Sequence, residues 1–189
     1  MMRVKGIAFL GLVSFVSERF GQPVLVDVFE GLVDHPEIFL RSLEPFGWYP
    51  WELFGQAFEV VMKELGSGDP LFAREIGAHI LGLYHRTYPE DLIRAPGSSL
   101  VATINRLWLI YHDQGSVAVI EEGEDFVLKL MCPVQLTRSY LEGVAGWIES
   151  LLALWKMEGY GIFTTDDPTE IRIIKMASGS SVSDLSACS

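Results

Sequence analysis

Imidazoles are the side chains that bind a metal or take a proton near neutral pH without help, and this chain has four: His35, His79, His85 and His112. Their spacing argues against a metal site. His79 and His85 fall on different faces of one helix, and neither belongs to an H-x-x-x-H pair, which would set two ligands on a single face. His35 precedes Pro36 and reads as loop. His112, followed by Asp113, could form a histidine–carboxylate pair, but it also sits where an imidazole meets the negative end of a helix dipole, so a structural role is expected. Serine chemistry is equally unsupported. There is no G-x-S-x-G, and Gly66–Ser67–Gly68 lacks the lysine and the spacing of a phosphate loop. Glu121, Glu122, Glu124 and Asp125 crowd a turn, where a solvated charge run is the ordinary explanation and a basic partner the functional one. Nothing pairs a nucleophile with a base, so the chain reads as a non-enzyme with no metal and no cofactor.

The elements that would position these groups are organised around Ser98 to Cys132, where the hydrophobic period changes midway. Leu100, Ile104, Leu107, Trp108 and Tyr111 recur every three or four residues, predicting a helix that Ser98 or Ser99 caps and Gly115 ends. Val117, Val119, Phe126, Leu128 and Leu130 then alternate on either side of the acidic turn, predicting a β-hairpin. A helix feeding a hairpin implies helices packed on an antiparallel sheet, an α+β fold.

Before this stretch, apolar periodicity predicts helices over residues 6–20, from Pro23 to Leu32, over 36–43, over 51–65 and from Pro70, capped by Asp69, to the residues before Pro89. In the first of these, Ile7, Leu10, Val13 and Val16 share one face that Phe9, Leu12 and Phe20 widen, so the helix is expected to be largely buried. Pro45 to Trp51 reads as a non-helical connection pinned by aromatic burial. Gly77 and Gly82, inside a helix, mark expected close helix contacts. Beyond the hairpin, Thr137 or Ser139 caps another helix, and residues 160–165 and 170–176 complete a four-stranded antiparallel sheet under an N-terminal helical bundle. Residues 1–176 are expected to form one domain, with 177–189 a flexible polar tail.

The chain has 189 residues, of which 49% are apolar, enough for a full core. A formal net charge of -11 argues against a phosphate-gripping surface, so nucleic acid is not an expected partner. Two cysteines, Cys132 and Cys188, make no disulfide framework and fit reduced thiols in cytosol. Arg3 and Lys5 ahead of IAFLGLVSFV resemble a signal peptide, but no small-x-small cleavage site follows and the run is too short to span a bilayer. A cytoplasmic protein without a membrane span is expected.

Lys5–Gly6–Ile7–x–Phe9 with Phe15–Val16–x–Glu18–x–Phe20–Gly21 resembles the opening of the haem–nitric-oxide-binding (H-NOX) domains, and Phe72 to Pro89 looks like that family too. Leu107–Trp108–x–x–Tyr111–x–Asp113–x–Gly115 and Gly146–Trp147–Ile148–Glu149 more closely resemble a myxobacterial family related to the vinyl-reductase-type (V4R) small-molecule-binding domains. The H-NOX resemblance implies an iron-binding histidine in a pattern like L-x-x-L-H, where Ile104 to Trp108 places a tryptophan. Indole nitrogen does not serve as an axial iron ligand. It also implies a propionate-binding Tyr-x-Ser-x-Arg, where this chain has Leu130, Cys132 and Val134. The haem pattern is not kept, although His112, one turn from Trp108, stands as an alternate ligand.

These residues lead to a regulatory or signalling module of H-NOX-like fold without haem, acting through a protein partner or as a homodimer. Trp48, Trp51 and Trp155 are its interface candidates. The alternative is a sensor binding a small apolar ligand or haem between helices and sheet, in a pocket lined by Trp108, Tyr111, His112 and Leu130.

Overall fold

A computed structural model of the chain describes residues 1–88 and 100–176. The expected caps Ser98 and Ser99, the stop at Pro89, Cys188 and the 177–189 tail lie outside the described residues. In chain order the elements are β1 (Arg3–Lys5), α1 (Gly6–Phe20), α2 (Gln22–Phe29), α3 (Pro36–Ser42), β2 (Trp48–Pro50) and α4 (Trp51–Glu64). They continue as α5 (Pro70–Thr87), α6 (Leu100–Tyr111), β3 (Ser116–Glu122), β4 (Asp125–Met131), α7 (Arg138–Leu154), β5 (Tyr160–Thr164) and β6 (Glu170–Lys175). The architecture is α+β: α6 and α7 pack on one antiparallel sheet of order β3-β4-β6-β5, and the helices of the N-terminal half pack on one another and on α7.

Local signals behave as their chemistry requires. Asp69 accepts a hydrogen bond from the Leu71 N–H at 2.9 Å, and Thr137 from the Tyr140 N–H at 3.1 Å, each satisfying a donor that a first helical turn leaves free. The hairpin closes through the two residues Gly123 and Glu124, with Gly123 at φ 71°, a left-handed conformation that glycine adopts without strain. In the resulting register Val117 lies opposite Leu130, Phe126 opposite Ile173 and Leu128 opposite Ile171. That alternation turns Val117, Leu128, Leu130, Ile171 and Ile173 to the helices.

Residues 45–50 are non-helical as expected, and Trp48–Pro50 pairs antiparallel with Arg3–Lys5 in a second, two-stranded sheet, each strand too short for a hydrophobic period to show. Two other expectations are corrected. In α1, Ile7, Phe9, Leu12 and Val16 are buried as expected and Phe15 joins them, whereas Leu10, Val13 and Phe20 are only half-buried. Of the two helix glycines, Gly77 is a contact point and Gly82 is not. A Cβ on Gly77 would lie 1.8 Å from the Gly143 carbonyl oxygen of α7, while one on Gly82 would meet nothing nearer than Arg86 Nη1 at 3.7 Å. Gly146 likewise passes the Arg74 backbone, so α5 and α7 cross with their main chains nearly touching.

Polar groups lock that crossing to the sheet. Arg74 Nε donates to Glu142 at 2.9 Å, its Nη1 to Glu149 and, at 3.1 Å, to the Ile162 carbonyl of β5. Buried Glu142 also receives Arg138 at 3.1 Å and the Thr164 hydroxyl. A buried carboxylate persists when its lone pairs are taken up in this way.

Candidate functional site

Residues 104, 108 and 111 of α6 and residue 112 just beyond it share one face, because steps of three and four close a helical turn. That face, the inner side of β3 and β4, and parts of α1, α4, α5 and α7 surround an apolar cavity of about 70 Å³. Trp108, Tyr111, His112 and Leu130, the four residues singled out from sequence, all stand on its wall, joined by Ile104, Phe54, Phe58, Tyr140, Val144 and Trp147 among others.

His112 is the polar centre of this wall. It sits just past α6 in a β-bridge with Val4, and the Asp113 N–H donates to the Arg3 carbonyl at 3.1 Å, so the N-terminal strand holds it in place. Its ring stacks on Trp108 with centroids 3.9 Å apart and 20° between planes. Nδ1 lies 3.1 Å from the Trp108 carbonyl oxygen, which can only accept, so the neutral ring carries its proton on Nδ1. Nε2 is then the acceptor, and the Tyr140 hydroxyl donates to it at 3.0 Å. Burial holds the His112 pKa down to about 4, against the upward pull of its backbone hydrogen bond and of Asp113. Asp113 itself is paired elsewhere, its carboxylate taking the Arg3 side chain at 2.7 Å and the Arg3 N–H at 2.6 Å. The histidine–carboxylate pair that the sequence allowed is not formed, and His112 is held structurally by Tyr140 and the Trp108 carbonyl.

The other polar atoms are disposed differently. Trp108 Nε1 donates to the Gln114 carbonyl at 3.3 Å, beneath a turn in which Gly115 takes φ 86° and a Cβ would press on Met131 O. Tyr111 is buried, its hydroxyl has no hydrogen-bond partner, and burial drives its ionisation far above the ordinary phenol range. Leu130 is core, and Cys132 and Val134 are half-buried beyond it. Burial raises the Cys132 thiol, which suits an inert thiol better than a nucleophile.

The tryptophans proposed for an interface part company. Trp51 is 6% exposed and T-shaped against Tyr140, 4.6 Å between centroids, so it backs the cavity wall. Trp48 is half-buried in β2 under the Lys5 ammonium at 4.1 Å, and Trp155 is half-buried at the end of α7.

One pairing that spacing did not reveal joins α1 to α5. Ser14 Oγ lies 2.6 Å from His79 Nε2 and 2.9 Å from a Glu18 carboxylate oxygen. The carboxylate can only accept, so the serine proton points to Glu18 and His79 donates to the serine. That is the reverse of nucleophile activation, and the trio reads as a clamp between helices. Among the described residues no group of three or more His, Cys, Asp or Glu is placed to hold a metal ion, and no helix is long and apolar enough to cross a membrane.

No family model matches the chain, and no curated protein matches it by sequence. Solved structures do match it by shape. One from work on haem distortion in the H-NOX family superposes with a TM-score of 0.64 at 14% identity, over 92% of this chain and 95% of that one. An oxygen-binding H-NOX domain related to soluble guanylate cyclases, in its oxygen complex, gives 0.60 at 13% identity, over 94% and 99%. A point mutant of the T. tengcongensis H-NOX gives 0.60 at 15% identity, over 89% and 96%. The likeness to these H-NOX domains is one of fold.

Proposed function

We propose that this chain, starting from the H-NOX fold, is a non-enzymatic regulatory module that works without haem and responds to what occupies its internal cavity. The carrying observation is the commitment of His112. Its Nε2 lone pair, the one an axial iron bond would use, already accepts the Tyr140 hydroxyl, and its flat face is covered by Trp108. Space supports the same reading: drug-sized ligands occupy roughly 300 Å³ or more, and this cavity offers about 70 Å³. Leu130, Cys132 and Val134 also give no charged anchor for a propionate. The residues present do not fit a porphyrin iron.

The Tyr140–His112 pair on the wall is a poor nucleophile and base, because burial holds the imidazole pKa down to about 4, so the cavity binds rather than reacts, and its state passes outward through packing to a protein partner or second copy. The test is an absorbance spectrum and a native mass on protein purified from haem-supplemented cells, followed by haemin titration. A colourless protein of 21.1 kDa that takes up no haemin in stoichiometric amount is expected. A stoichiometric Soret band that shifts in His112→Gln would overturn the reading.

A further inference from the structure

We draw no further inference here: the strongest candidate, the apolar surface groove between α6 and the end of α5 that Phe46, Tyr88 and Leu109 line beside Lys5, carries nothing, because the Lys5 ammonium lies over the Trp48 ring and nothing in the structure shows what covers the groove.

Discussion

Tyr140 and His112 form the pair on which the site turns, and each substitution has a defined cost. Tyr140→Phe removes the donor to Nε2 and leaves a buried ring nitrogen unsatisfied, so it should destabilise the protein by about 1–3 kcal/mol in urea unfolding. An unchanged midpoint would show that the pair does not form. The buried imidazole also sets a pH dependence. Its pKa is about 4 folded against 6.5 ordinarily, so between these values the unfolded chain binds a proton that the folded chain refuses. Stability from this group is therefore whole above about pH 6.5 and falls as the pH drops toward 4, by on the order of 3 kcal/mol. His112→Asn should flatten that limb of the stability–pH curve relative to the parent, and parallel curves would count against it. At this scale Trp108, Tyr111, His112 and Leu130, named from the sequence, stand around one cavity, but Tyr140 lies 28 residues from His112 and no local pattern brings it there.

Between elements, the α5–α7 crossing decides which glycines matter. Gly77→Ala would drive a methyl into the Gly143 carbonyl, and because backbone on both sides must give way, a loss of about 3 kcal/mol or more is expected. Gly82→Ala, in the same helix with open space around it, should instead gain up to about 1 kcal/mol from helix propensity. Thermal melts of the two variants side by side are the check, and shifts of the same sign would refute the crossing. Sequence marked both glycines alike, since helical spacing shows where a residue lies on its own helix and not what passes it. The same reason hid β1 and β2, whose three-residue strands exist only as partners of each other.

Across the whole molecule, the Arg74–Glu142 network ties the helices to the sheet's far edge. Glu142→Ala takes one of three partners from the half-buried Arg74 guanidinium and should cost about 1.5–3 kcal/mol, whereas breaking the exposed Arg41–Glu37 pair should cost at most about 0.5 kcal/mol. Chemical denaturation of both variants tests this, and equal losses would mean that the network is only surface decoration. What the amino-acid order determined by itself was periodicity: all seven helices of the described residues over nearly their full length, the hairpin and the α+β class, because each follows from neighbours within a few residues. What only tertiary structure decided was the use of those elements. It turned Trp51 inward, set Ser14 on His79, paired Tyr140 with His112 and left the Tyr111 hydroxyl alone. Those outcomes depend on contacts between segments far apart in the chain, and the free energy of burial that selects them belongs to the assembled core.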